Sequence, residues 1–211
     1  MTKHSKNFDK ILASFFFAIL LLFAFVPFLG FIPLGPINAT TMHIPVIIAS
    51  IVLGPKIGGF LGGCFGVMSL IRATVIVSPL SFVFSPFVAP IGAEHGSLNA
   101  LIVALVPRIL IGVVPYFAFT GLMKVSKGKA QSLMLFLAGV LGGLTNTILV
   151  MNGIYFLFQK EYASIIGQAG QAVYLAINGV IFTQGIPEAL VAGIATAAIG
   201  SVLLRLYQRK K

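Results

Sequence analysis

Acidic residues are nearly missing from this 211-residue chain, which holds 4 Asp and Glu against 14 Lys and Arg. Charged residues of both signs make up 9%, where an ordinary soluble domain has about 25%. With only Glu188 lying inside an apolar segment, no paired-carboxylate site is available for general acid–base work. The single cysteine, Cys64, excludes a disulfide framework and any multi-thiolate metal site. There is no Gly-x-Ser-x-Gly elbow, no His-Glu-x-x-His and no Cys/His ligand set, so neither a metal site nor a catalytic residue is expected. A Walker A sequence is also missing, so the chain does not hydrolyse ATP itself. Two similar halves, common in secondary carriers, are not found either. Tryptophan is absent, which disfavours a large stacked ring, although 19 Phe and 5 Tyr are present to substitute.

What the chain has is apolar surface. Hydrophobic residues make up 58% and the mean hydropathy is +1.07. A water-soluble globule of this size cannot bury so much. Soluble enzyme, nucleic-acid binder and disordered chain are therefore excluded. The pI of about 10.1 comes from Lys and Arg placed between long apolar runs.

Charge-free windows give the layout. No charged side chain lies between Lys10 and Lys56, Lys129 and Lys160, or Glu161 and Glu188. A spanning helix needs about 20 residues. The first window holds two helices, divided by Pro33, Gly35 and Pro36. The reading is one domain over 1–211, an all-α integral membrane bundle of six helices with a single outward-side pocket. The helices fall at about 11–32, 40–54, 57–73, 98–123, 131–157 and 173–205. Residues 75–97 hold Pro79, Pro86, Pro90 and Gly92 and read as a structured loop, with a seventh helix as the alternative. The first apolar stretch is longer than a signal h-region of about 7–15 residues, so a retained first helix is expected.

Six spans put both termini on one side. That side would carry Lys3, Lys6, Lys10, Lys56, Lys124, Lys127, Lys129, Arg205, Arg209, Lys210 and Lys211, and the other only Lys160. The positive-inside rule then places both termini in the cytoplasm, with 74–97, 158–172 and the short 33–39 turn outside.

Few polar groups remain inside the apolar segments, and intramembrane ionisable residues mark functional sites by default. Arg72 lies 16 residues after Lys56, Arg108 16 before Lys124, Asn146 17 after Lys129, Glu188 17 before Arg205 and Thr40 16 before Lys56. At about 1.5 Å per residue, all five sit roughly 24–26 Å above the inner charge belt. Thr41 and His43 are close to this level, and Asn152, Tyr155 and Asn178 lie higher, near a mouth. The layer reads as one polar pocket in the outer half of the membrane. Blander readings stand beside it. Arg108 and Glu188 would serve equally as a structural ion pair, Arg72 as a snorkelling charge, Asn146 as interhelical glue and His43 as a satisfied core residue.

Gly58, Gly62 and Gly66 recur every four residues, and Gly139 and Gly143 repeat the spacing. Packing within one chain is preferred over a dimer face. On the first helix, Ser14 and Ala18 form a small-xxx-small pair flanked by Phe15, Phe16 and Phe17, which suits docking by another membrane protein.

Several stretches together carry a family likeness. They are Asn38-Ala39-Thr40-Thr41-Met42-His43-Ile44-Pro45, Leu53-Gly54-Pro55-Lys56, Pro107-Arg108-Ile109-Leu110 and Gly185-Ile186-Pro187-Glu188-Ala189. In this order and spacing the chain resembles the S components of energy-coupling factor (ECF) transporters. The resemblance implies a subunit that captures a vitamin or related micronutrient from outside. It implies as partners a membrane-embedded coupling subunit and two ATP-binding subunits, which use the ATP, while this chain binds no cofactor. It also implies that the small pair on the first helix, here Ser14 and Ala18, docks onto the coupling subunit. The Thr41-Met42-His43 entry, Ser85-Pro86-Phe87 and Thr145-Asn146-Thr147 are most similar to pantothenate-type members. The candidate substrate-binding residues are Thr41, His43, Arg72, Arg108, Asn146, Asn178 and Glu188. Arg72 or Arg108 would meet a carboxylate, with the others meeting amide and hydroxyl groups. Pyridoxine, a hydroxymethylpyrimidine, nicotinate and folate stay open as substrates. A lipid-modifying membrane enzyme and a passive channel are the rivals from other classes. The first would want more Asp, His or Lys, and the second a polar path through the inner half.

The orientation is checked by single-cysteine labelling in a Cys64-free background. A Lys160→Cys variant should react with an impermeant reagent on intact cells, and a Lys211→Cys variant should not.

Overall fold

A computed structural model describes residues 3–26, 29–34 and 37–209, with side chains described for 7–26, 29–30 and 40–207. Helix α1 (Lys3–Phe25) leads into a hairpin, β1 (Phe31–Leu34) and β2 (Ile37–Thr40), followed by α2 (His43–Leu53) and α3 (Pro55–Val75). Irregular chain with one 3-10 turn (Ser81–Val83) leads to α4 (Asn99–Ile111) and α5 (Val114–Val125). Then come α6 (Gln131–Ile166), α7 (Gln171–Val180), a π turn (Ile181–Gly185) and α8 (Ile186–Arg209).

Five stretches are long and apolar enough to cross a membrane: Asn7–Phe25, Pro55–Val75, Asn99–Val125, Gln131–Ile166 and Gln171–Tyr207. The sixth segment, α2, has 11 residues. It rises only about 16 Å, roughly half the hydrocarbon thickness. Its residues His43 and Pro45 through Val52 are all buried, so α2 forms the axis of the bundle. Apart from the hairpin, the protein is an all-helical, multi-pass membrane bundle. Asp9 on α1 accepts a 2.6 Å hydrogen bond from the Tyr207 hydroxyl on α8. The start of the first helix therefore lies against the end of the last.

The first helix starts at Lys3 rather than 11, the segment expected at 98–123 is broken between α4 and α5, and that at 173–205 is interrupted by the π turn; three further boundaries differ from the sequence expectation, each for a local reason. The first helix stops at Phe25 rather than near 32. Val26 precedes Pro27, and the residue before proline is driven out of the helical region. The second helix starts at His43 rather than 40, because 37–40 pairs antiparallel with 31–34, from Phe31–Thr40 to Leu34–Ile37. The helix expected to end near 157 runs on to Ile166. It breaks at Phe158 (φ −138°, ψ 27°) and ends at Gly167, whose φ of 65° is a common glycine stop.

Residues 76–97 form a structured loop without a long helix. Short side chains knit it together. The Ser78 backbone N–H donates to the Ser81 hydroxyl at 2.8 Å, and the Thr74 and Ser85 hydroxyls share a 2.7 Å hydrogen bond. Leu80, Phe82 and Val83 then pack against Phe158, Val173 and Ile177 in a cluster separate from the main core around α2.

The glycine rows pack within the chain. A Cβ on Gly62 would sit 2.1 Å from the Arg108 carbonyl oxygen, and one on Gly58 would sit 2.2 Å from that of Gly112. On α6, a Cβ on Gly143 would come within 2.8 Å of the Ala189 Cα, and one on Gly139 equally near the Gly193 Cα. The α3 and α4 backbones thus touch directly, as do α6 and α8. Gly62→Ala should destabilise the detergent-solubilised protein by about 1–3 kcal/mol in thermal unfolding, the usual cost of overpacking. Gly63→Ala is the control. Its Cβ would meet only an Ile109 side-chain carbon at 3.9 Å, so stability should hold or rise slightly.

Candidate functional site

The close helix contacts enclose a cavity of about 340 Å³. That is near the lower end of small-ligand pockets, roughly 300–1,000 Å³. Its walls come from α3, α4, α6, the end of α7, the π turn, the start of α8, the 76–84 loop and the last residue of β2.

Arg108 is 4% exposed and has a specific local cause for its position. Pro107 has no N–H, so it cannot make the helical bond back to the Val103 carbonyl. The Arg108 Nη1 takes that carbonyl instead, at 2.8 Å. The guanidinium carbon then lies 4.9 Å from the Phe84 ring centroid and 5.5 Å from that of Phe65. Two aromatic faces thus stabilise a cation that lipid would reject. Its Nε is buried without a hydrogen-bond partner. Arg72, in the last turn of α3, reaches the cavity from another wall.

Glu188 stands in the first turn of α8, just after the π turn. Its carboxylate faces the Thr40 backbone N–H, which ties α8 to the end of the hairpin. The helix start also favours negative charge there. Among the described residues Arg108 makes no ion pair with Glu188. The π turn widens the helix beside the cavity, and Gln184 and Gly185 from it line the wall.

Three more side chains leave polar atoms buried and unpaired in this wall: the Thr40 and Ser69 hydroxyls and the Asn146 amide oxygen. Buried polar groups are hydrogen-bonded in most proteins, so such a cluster is unusual and marks a place prepared for a polar guest.

Thr40, Arg72, Arg108, Asn146 and Glu188, the five residues counted to one height, all line the cavity. The other candidates lie elsewhere. His43 is buried below the site beside backbone groups of Thr40 and Glu188, and neither ring nitrogen completes a hydrogen bond. The Thr41 hydroxyl turns away and donates to the Leu29 carbonyl at 2.5 Å. Asn178 donates to the Tyr174 carbonyl at 3.0 Å on an exposed face, and Asn152 to that of Ile148 at 2.8 Å. Tyr155 packs edge-on against Tyr174, centroids 5.1 Å apart. A height count fixes level and not direction around the helix, which is why Thr41 and Asn178 were included. Ser69, Phe84, Tyr162 and Gln184 also line the cavity and are not among the candidates read from the sequence. Ser69 shares a helix face with Arg72 three residues on, and Gln184 with Glu188 four on, so spacing carried a signal for both.

Among the described residues no three His, Cys, Asp or Glu side chains gather to hold a metal. A smaller apolar groove of about 190 Å³ lies between α1 and α3, lined by Ala13, Ser14, Phe17, Phe60 and Leu61. Ser14 and Ala18 are exposed on α1 among bulky apolar neighbours such as Ile11, Phe15 and Leu22.

A membrane bundle around one polar cavity defines a binding subunit, and the comparisons identify its kind. Residues 11–200 match the family described as ECF transporter, substrate-specific component, and the chain belongs to that family. It is 35% identical over 204 residues to the pantothenic acid transporter PanT of Lactococcus lactis subsp. cremoris, covering 96% of this chain and 97% of that one. It is 29% identical over 215 residues to the pantothenate transporter PanT of Leuconostoc mesenteroides subsp. mesenteroides, covering 98% and 97%. In fold it is similar to the crystal structure of the biotin S-component of an ECF-type ABC transporter. The TM-score is 0.54 at 22% identity, over 100% of this chain and 95% of that chain.

The unpaired hydroxyl of Ser69 makes a simple test. Removing a buried hydroxyl that has no partner removes a desolvation penalty of about 1–3 kcal/mol. Ser69→Ala should therefore keep or raise the melting temperature of the ligand-free protein.

Proposed function

We propose that this chain captures pantothenate from outside the cell and presents it to an ATP-driven coupling module for import. The observation that carries this reading is the cavity's combination of charge and unpaired polar atoms. Two arginines and one carboxylate give the wall a formal charge of +1 (2 − 1), which suits a ligand with one negative charge. The unpaired atoms of Thr40, Ser69, Arg108 and Asn146 call for a ligand rich in hydrogen-bonding groups. Pantothenate has one carboxylate, one amide and two hydroxyls. The names of the two relatives support the same ligand.

The carboxylate goes to Arg108 or Arg72. Arg108 offers its free Nε within a low-dielectric wall, where a charged hydrogen bond is strong. Asn146, Ser69, Thr40 and Glu188 take the amide and hydroxyls. The apolar wall of Ile76, Leu80, Val150 and Ile154 covers the dimethyl carbon. His43 lies beside backbone groups of Thr40 and Glu188 and does not meet the ligand in this arrangement. Thr41 and Asn178 have no ligand role in this arrangement.

The positive-inside count supports cytoplasmic termini, with the cavity in the outer half of the membrane. The energy comes from partners: a coupling subunit that meets α1 at Ser14 and Ala18, and two ATP-binding subunits. The exposure of both small residues supports that face.

Ligand-induced thermal stabilisation against pantothenate, biotin, pyridoxine, nicotinate and folate tests the reading. Pantothenate alone should stabilise the protein strongly. Arg108→Ala should weaken its binding at least about tenfold, or about 1.4 kcal/mol. Stabilisation by another member of the panel but not by pantothenate would replace the substrate. Undiminished binding by Arg108→Ala would remove the arginine from its role.

A further inference from the structure

We infer that Tyr162 caps the cavity and contacts the ligand, acting as a specificity-determining residue at the end remote from Asn146; this rests on the pantothenate reading. The cavity wall on α6 follows one face at four-residue intervals: Asn146, Val150 and Ile154 line it. The next position on that face, Phe158, does not. Its ring turns to the 76–84 loop instead, edge-on to Phe82 with centroids 5.6 Å apart, and is 2% exposed. The backbone breaks at this residue.

One turn further on, Tyr162 lines the cavity again. A straight helix would carry it about 12 Å beyond Ile154, well clear of a site this small. The break at Phe158 brings it back. Tyr162 is 3% exposed although it follows Lys160, which is exposed, and half-buried Glu161. Its hydroxyl makes no hydrogen bond to the described residues. The residue is otherwise enclosed and lines the cavity, so a ligand there is the partner open to the hydroxyl. Phe158 and Phe82 fix the geometry from behind, in the cluster that also contains Tyr162. The cap is therefore built into the resting structure.

Packing alone would also explain a buried tyrosine, so the test separates ring from hydroxyl. Tyr162→Phe keeps the ring. It should weaken pantothenate binding about three- to tenfold, the range for one neutral hydrogen bond, with an unchanged melting temperature of the ligand-free protein. Binding equal to the parent's, while Arg108→Ala binds poorly, would overturn the ligand contact and leave the pantothenate reading intact.

A second arm does not depend on the substrate. In a Cys64→Ser background, Ala73→Cys places a thiol on the opposite cavity wall. Adding Tyr162→Ala should speed its reaction with a charged methanethiosulfonate at least about tenfold, and adding Tyr162→Phe should not. Equal rates in all three would overturn the cap. Faster labelling in a protein that does not bind pantothenate would support the cap and count against the pantothenate reading alone.

Discussion

Where Gly62 meets Arg108 there is no room for a methyl group between the α3 backbone and the α4 carbonyl. The same holds where Gly143 meets Ala189. In lipid, helices gain little from apolar burial against one another, so close van der Waals contact has to hold them together. Glycine provides it, and the residues flanking each glycine are brought in with the backbone. Asn146 follows Gly143 by three positions, and Glu188 directly precedes Ala189. Arg108 is itself the residue touched by Gly62. The contacts that stabilise the bundle are thus the same ones that set the distances across the cavity.

Arg108 shows how a charge survives in that setting. The proline before it frees a carbonyl, the arginine occupies it, and two phenyl rings cover its faces. Each neighbour takes up part of the desolvation cost that a lone intramembrane arginine would carry. No carboxylate of the protein pairs with it among the described residues. One nitrogen is left unsatisfied. That nitrogen, Nε, is a charged donor held in the cavity wall without a protein partner.

Much of this was legible in the residues. Apolar runs and their charged borders fixed six segments, because burial in lipid demands about 20 uncharged residues in a row. Counting from those borders brought Thr40, Arg72, Arg108, Asn146 and Glu188 to one level, and all five share the cavity. The hairpin was not legible: Pro33, Gly35 and Pro36 mark a break between two helices, but nothing in the residues shows that Phe31–Leu34 and Ile37–Thr40 pair across it. Direction around each helix was not legible either. Thr41 sits next to Thr40 and bonds the other way, to Leu29. Tyr162 carried no signal at all, because its place depends on a backbone break at Phe158, a residue that on its own reads as ordinary helix.

The short α2 has a consequence for how the chain is made. Eleven residues are too few to partition into a bilayer as an independent span. This part of the chain therefore gains a tolerable environment only after α3 and the later helices have arrived around it. Translation and membrane entry finish before the centre of the molecule does. The axis of the finished bundle is then among the last parts to settle. A ribosome-bound intermediate ending before α6 would hold α2 without the wall that contains Asn146.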